Sequence, residues 1–274
     1  MTEEQSKSYL EQFHLEGKVA LVTGGSRGIG RSIALGLAEA GSDVVLASRK
    51  LPDLEAVAQE IVQRGRKALP VAANVRHLPE INSLVKKAMD EFGHIDILVN
   101  NAGTNPTFGS VFDVDEGVWD VTMGLNLKGY FFLSQAVGRI MKEKGGGSII
   151  NVASTAGIHP DLGLGVYSIT KAGVIMLTQV LAQEWGQYNI RVNAIAPGVV
   201  KTRLSSLLWS TPEIRQMVEG NTALGRVAEP DEMVGAVLFL ASDASSYVTA
   251  QTIVLDGGHF SSVQTFLPGI QPAK

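Results

Sequence analysis

A doubly wound α/β fold with a parallel, seven-stranded sheet is what this sequence predicts, on three observations. Seven short runs rich in Val and Ile recur along the chain, longer amphipathic stretches separate them, and a glycine cluster follows the first run at once. Strands covered on both faces read as continuous apolar runs rather than alternating ones. Alternating β and α units then build a parallel sheet through right-handed crossovers. The competing α/β barrel needs eight βα units, and seven are counted. In open sheets of this kind ligands sit beyond the carboxyl ends of the strands.

The elements follow in order. A polar extension over residues 1–14 precedes a single domain over 15–258, and residues 259–274 form a tail. Val19-Ala20-Leu21-Val22 is the first strand, with a helical pattern through Ala40. Val44-Val45-Leu46-Ala47 is the second, followed by a helix through Arg64; Ala68 to Ala73 is the third and leads to a helix around Leu84-Val85…Met89. Ile95 to Val99, Ser148 to Val152, Arg191 to Ile195 and Thr252 to Leu255 complete the series. The stretches Tyr130-Phe131-Phe132-Leu133…Ile140-Met141 and Val174-Ile175-Met176-Leu177…Trp185 are apolar around much of a helix. Such helices need cover on two sides; the sheet supplies one and a symmetric partner subunit the other.

Composition narrows the function classes. The 274 residues are 45% hydrophobic and 18% charged, with 23 basic against 27 acidic residues and a net charge of −4. A chain of this size buries roughly 75% of its unfolded surface and needs no disulfide or metal staple. The slightly acidic balance disfavours binding to nucleic acid or to an anionic membrane. With no cysteine, disulfides, thiolate zinc sites and thiol nucleophiles are excluded. His94, His159 and His259 are scattered without metal-ligand spacing. The start Met1-Thr2-Glu3-Glu4-Gln5 does not read as a secretory signal, and the longest purely apolar run, Ala236 to Ala241, is far short of a membrane span. These points predict a soluble, cytoplasmic protein.

The first strand runs into Thr23-Gly24-Gly25-Ser26-Arg27-Gly28-Ile29-Gly30. Glycines permit positive φ and let a pyrophosphate approach backbone N–H groups, and the following helix start offers free donors and a positive dipole end. Gly24, Ser26, Arg27, Gly28, Ile29 and Gly30 are therefore candidate cofactor contacts. A plain strand-to-helix turn is the bland alternative, disfavoured by the place of the cluster after the first strand. A Walker phosphate loop is excluded, because no Gly-Lys-Ser/Thr follows. At the end of the second strand stand Ser48 and Arg49, where NAD-specific folds carry an acidic residue for the ribose. The nearest acid, Asp53, belongs to the next helix. Arg49, with Arg27, suits a 2′-phosphate, which favours NADP(H) over NAD(H).

Further motifs stand in a fixed order: Asn100-Asn101-Ala102-Gly103, Asn126 within Leu125-Asn126-Leu127-Lys128-Gly129, Ser154 after Asn151-Val152-Ala153, Tyr167-Ser168-Ile169-Thr170-Lys171, and Pro197-Gly198 with Thr202. On these residues the chain resembles the short-chain dehydrogenase/reductase family in its NADP-preferring subgroup, over residues 15–258. The segments Asn105-Pro106-Thr107-Phe108-Gly109, Trp119-Asp120 and Ser206-Leu207-Leu208-Trp209 resemble NADPH-dependent carbonyl/retinal reductases of the dehydrogenase/reductase member 4 type. The resemblance implies a Rossmann fold, hydride transfer between NADP(H) and a carbonyl or alcohol, and a homotetramer. It implies cofactor contacts at Asn74, Val75, Asn101, Ala102, Gly103, Tyr167, Lys171, Pro197, Gly198, Val200 and Thr202. Asn74 stands where the family usually has Asp; its carbonyl can accept the same adenine bond.

Tyr167 is the expected acid. A free phenol titrates near 10, and a neighbouring ammonium lowers that value. Lys171, four residues on, projects from the same helical face. By resemblance Lys171 also holds the nicotinamide ribose, Ser154 donates to the substrate oxygen, and Asn126 anchors a water in a proton relay. Each residue alone has a structural reading, Ser154 as a turn former and Asn126 as a helix cap; the ordered set favours catalysis. The family's lid over the substrate corresponds to residues 203–220, where Leu204, Leu207, Leu208 and Trp209 imply a hydrophobic carbonyl. His159, Leu162 and Leu164 are expected on the opposite wall. In the tail, Phe266-Leu267-Pro268 is expected to add to a subunit contact. Three other readings remain: 3-oxoacyl-[acyl-carrier-protein] reductase, a glucose- or gluconate-type sugar dehydrogenase, and a non-catalytic dinucleotide sensor.

Overall fold

The computed structural model describes residues 8–259. All seven predicted runs are strands: β1 (Val19–Thr23), β2 (Asp43–Ser48), β3 (Ala68–Ala72), β4 (Ile97–Asn100), β5 (Gly147–Val152), β6 (Ile190–Pro197) and β7 (Thr252–Leu255). They lie in the order β3-β2-β1-β4-β5-β6-β7 and every pairing is parallel. Leu21 of β1, for example, stands opposite Val45 on one side and Leu98 on the other.

Between the strands run α1 (Gly28–Glu39), α2 (Leu51–Gln63), α3 (Leu78–Phe92), α4 (Glu116–Met123), α5 (Gly129–Lys144) and α6 (Gly165–Trp185). After β6 come α7 (Ser206–Ser210), α8 (Pro212–Gly220) and α9 (Val234–Ala241). Proline opens the first turns of α2 and α3, where its missing N–H costs nothing. Gly93 ends α3 in the left-handed region, a conformation that an L side chain resists.

β1 shows why the strands are apolar throughout. Val19 and Leu21 join a core with Leu84 of α3, Leu133 of α5 and Val174 of α6. Their neighbours Ala20 and Val22 join a second core with Ile33 of α1, Leu54 of α2 and Leu240 of α9. Successive side chains of a strand point to opposite faces, so both faces being helix-covered makes every position apolar.

Strand boundaries shift by one or two residues from the sequence expectation, and at β4 the structure shows why. The fourth run begins at Ile95 in sequence, but β4 begins at Ile97, because Asp96 serves as a brace. Its carboxylate accepts the Val19 N–H at 2.8 Å and pairs with Lys144, with His94 at 3.3 Å. The polar extension also ends in structure: residues 11–13 form a 3₁₀ turn and Leu15 is buried. Residues 260–274, with the expected contact at Phe266-Leu267-Pro268, lie outside the described residues. The helical stretch Gly165–Tyr188 is long and apolar enough to cross a membrane. Val174, Leu177 and Leu181 on it are core residues, and half of its apolar window is buried within the fold.

Candidate active site

A crevice of about 500 Å³ opens across the carboxyl ends of the strands, within the size range of small-molecule sites. Each sequence-predicted cofactor residue lines it: Gly24, Ser26, Arg27, Gly28, Ile29 and Gly30 after β1; Ser48 and Arg49 after β2; Asn74 and Val75 after β3. Asn101, Ala102 and Gly103 follow β4, Tyr167 and Lys171 come from α6, and Pro197, Gly198, Val200 and Thr202 follow β6.

The glycine loop is shaped by contacts that a side chain would block. Gly24 has φ +66°, and a Cβ there would meet the Asn101 amide nitrogen at 2.7 Å. That nitrogen is committed to the loop: it donates to the Thr23 and Gly24 carbonyls at 2.8 and 3.3 Å. Gly28 has φ +53°, and a Cβ would come within 3.3 Å of the Thr202 methyl, narrowing the crevice. Arg27, just before α1, has extended backbone and its side chain does not cap the helix. The first-turn N–H groups of α1 thus lack a side-chain acceptor, the arrangement that binds phosphate at a helix start.

Arg27 and Arg49 are exposed at the crevice. Among the described residues no Asp or Glu stands in the crevice wall, while Arg76, Lys171 and Arg203 add further positive charge. Asp53 lies in the first turn of α2, as its spacing predicts. Asn74 is partly tied locally: its side-chain oxygen accepts the Arg76 N–H at 3.3 Å, leaving a second lone pair for a ligand. This donor set fits a dinucleotide with anionic phosphates.

Ser154, Tyr167 and Lys171 share the same crevice. Ser154 ends the turn after β5, where its oxygen also accepts the Ala156 N–H at 3.1 Å. Lys171 Nζ donates to the Val152 carbonyl at 2.7 Å and lies 5.6 Å from the centre of the Tyr167 ring. The expectation that the ammonium sets the phenol's acidity is corrected here. Burial pushes the Tyr167 phenol up, and a hydrogen bond with Ser154 pulls it part of the way back. The same removal of water lowers Lys171 to about 7. Desolvation dominates because it penalises the charged form of both groups.

Asn126 is not in the crevice wall but fully buried behind it. It sits in a π-helical turn (Gly124–Lys128) joining α4 to α5, not at a helix cap. Its amide clamps Thr104, accepting the Thr104 N–H and donating to the Thr104 carbonyl, both at 2.8 Å, with a further bond to Thr170 at 3.2 Å. Both amide protons are thereby used, while the oxygen keeps a second lone pair.

The substrate wall departs most from expectation. Leu204 lines the crevice with Ser154 and Tyr167, whereas His159, Leu164, Leu208 and Trp209 do not, nor do Leu162 and Leu207. The segment before α6 turns outward: Leu162 is 96% exposed. The Gly109 N–H donates to the Gly163 carbonyl at 3.1 Å, and the Phe108 ring lies against Gly163. Trp209 has a different role, its indole N–H donating to the Thr202 carbonyl at 2.9 Å, which ties α7 to the turn after β6. Wall residues missed from sequence include Arg76, Thr104, Asn105, Leu125 and Arg203. Arg203 directly follows Thr202 and Arg76 stands two after Asn74, so adjacency to motif positions was the available signal.

Residues 24–259 match the family profile described as enoyl-(acyl carrier protein) reductase. Human dehydrogenase/reductase SDR family member 4 is 39% identical over 244 residues, covering 89% of this chain and 88% of the relative. The chain belongs to the short-chain dehydrogenase/reductase family. A gluconate 5-dehydrogenase from Burkholderia cenocepacia J2315, solved with NADP and tartrate, superposes with a TM-score of 0.88 at 35% identity, covering 91% of this chain and 98% of the other. A 7α-hydroxysteroid dehydrogenase solved with NADH and 7-oxoglycochenodeoxycholic acid gives 0.87 at 34% identity, covering 91% and 97%. Family membership makes this chain an oxidoreductase that acts on alcohol or carbonyl groups of small molecules with a nicotinamide dinucleotide. The two solved structures are named for different substrates, gluconate and a 7α-hydroxysteroid, so the family's common site does not choose one.

Proposed function

We propose that this enzyme reduces hydrophobic ketones or aldehydes with NADPH, and that Tyr167 is its general acid. The reading is carried by the make-up of one crevice wall: Ser154, Tyr167 and Lys171 beside β5 and α6, Arg27 and Arg49 beside β1 and β2, and no carboxylate along it among the described residues. Without an acid to repel it, a 2′-phosphate meets only cations there. Arg49 and Arg27 would hold that phosphate, and the N–H groups heading α1 the pyrophosphate. When bound, NADPH supplies the hydride.

The chain supplies the rest. Ser154 donates to the substrate oxygen as negative charge grows on it, a preorganised bond worth on the order of 10²–10³ in rate. Tyr167 gives that oxygen its proton, and burial keeps the phenol protonated and ready in the reductive direction. The Lys171 ammonium stabilises the phenolate left behind. Leu204 in the wall, with exposed Phe108 and Leu207 on the neighbouring segments, favours an apolar carbonyl over a sugar. Exposed apolar side chains on α5 and α6 support assembly into a homotetramer.

NADPH absorbance followed against retinal, aromatic ketones, acetoacetyl thioesters and sugar lactones tests the substrate class; sole activity on lactones or thioesters rejects it. Tyr167→Phe should cut turnover by about 10²–10⁴ while NADPH still binds, and an unchanged rate rejects the assignment. Arg49→Ala should raise the KM for NADPH about tenfold and leave that for NADH within about twofold, since a charged hydrogen bond to one phosphate is worth roughly a factor of ten. Equal effects on both cofactors would remove the case for NADP(H).

A further inference from the structure

Lys171 is 3% exposed and forms no ion pair with a carboxylate among the described residues. A buried ammonium with no counter-ion is costly, so what faces it matters. From β5 comes the Val152 carbonyl at 2.7 Å. The loop after β4 brings Gly103, where a Cβ would lie 3.9 Å from Nζ. The titratable groups that face it are two tyrosines, Tyr167 on its own helix and Tyr130 on α5, with ring centres 5.6 and 5.3 Å from Nζ.

Tyr130 is fully buried and has no part in the chemistry assigned above. Its hydroxyl reaches the same Val152 carbonyl at 3.4 Å, a long bond to an oxygen already taken by Lys171. As a hydrogen-bonding group it is poorly served there; as a ring it is well placed, since a cation within about 6 Å of a ring centre is attracted by the negative π face. Burial holds its phenol far above the ordinary value, so the ring stays neutral and offers no charge of its own.

We propose that Tyr130 is a positioning residue whose buried ring takes the place of a counter-ion, keeping Lys171 charged and seated on the Val152 carbonyl. The consequence for Tyr167 rests on the function proposed above; the coupling of Tyr130 to Lys171 does not. A neutral ring has a use here that a carboxylate lacks. An acid would neutralise the ammonium and spend on itself the field that the Tyr167 phenolate needs, whereas a ring stabilises the cation and leaves its charge available.

The test uses the full chain with lysines labelled with ¹³C at Cε. The Lys171 resonance is identified by its absence in Lys171→Arg and its titration midpoint followed in wild type, in Tyr130→Phe, and with a trifluorinated phenylalanine placed at position 130. Fluorine drains the π face with little change in shape, so packing loss is not confounded with the electrostatic effect. Tyr130→Phe should leave the midpoint within about 0.3 of wild type. The fluorinated ring should lower it by about one unit, a tenfold change in the protonation equilibrium. An unmoved midpoint with the fluorinated ring, or an equal fall in Tyr130→Phe, overturns the proposal. With the carbonyl reduced fastest in the panel, the pH at which reduction slows should move down by the same amount, and a profile that stays put overturns the catalytic consequence. These titrations need no turnover, so a chain inactive on every carbonyl would sink the proposed function and still let Tyr130 be judged.

Discussion

At the scale of the residue, the site is built against the fold's own stability. An ordinary lysine titrates near 10.5, and Lys171 near 7. Below pH 7 the native state holds this proton against burial, so the full cost is present there. As pH rises from about 7 to 10.5 the native chain releases the proton before the unfolded chain does, and stability increases with pH across that window. The gap amounts to about 5 kcal/mol at full strength, and a variant that removes the ammonium leaves the Val152 carbonyl with only the long bond from Tyr130, costing about 1–3 kcal/mol. Lys171→Met should therefore be more stable than wild type by about 2–4 kcal/mol at pH 6, and the advantage should fade towards pH 10. Urea unfolding at the two pH values measures it; a variant less stable than wild type at pH 6 would show that the ammonium is not under strain. Activity lost together with stability gained is the expected trade at a catalytic site.

At the scale of the element, legibility followed the physics of each signal. The strands were readable because burial on both faces forces an unbroken apolar run, and the ends of β2, β5 and β7 fell within a residue of the run that marked them. β4 began late because Asp96, inside its run, is recruited as a brace by groups from distant parts of the chain, a demand that no local pattern carries. The crevice wall after the strands was readable because turn glycines and motif order place those residues directly after strands. The π turn at Asn126 was not, since its extra residue is a matter of hydrogen bonding rather than composition. Gly36 shows the same limit: a Cβ there would meet the Val234 side chain at 2.2 Å, a closeness between α1 and α9 that appears only when the helices are packed. The expected substrate wall was legible only in part, for a related reason. Leucines and a tryptophan in a flanking segment say that something apolar is near, but whether each faces the crevice depends on tertiary contacts such as that of Trp209 with Thr202.

At the scale of the whole molecule, one face of α6 is left uncovered. Ile169, Met176 and Val180 are 50%, 58% and 42% exposed, and their spacing of seven and then four places them on one stripe of the helix. Phe131 on α5 and Trp119 on α4 are likewise exposed, so the apolar surface spans three helices rather than one. Contiguous exposed apolar surface of this kind marks an interaction face, and a two-fold axis would let the same face of a second chain cover it, each residue meeting its own counterpart region. Tyr167 and Lys171 belong to this helix too, with Lys171 turned to the core, so a partner held on the outer stripe would steady the helix that carries the proposed acid. Carboxylates placed on the stripe would be doubled across the axis and repel. Met176→Glu combined with Val180→Glu should therefore split the proposed assembly of four 29.1 kDa chains at this face, leaving pairs of chains held by its other interface in sedimentation velocity, with far-ultraviolet dichroism unchanged. If the double variant sediments as wild type does, the stripe is not the assembly face; if wild type itself sediments as a single chain, the tetramer is wrong.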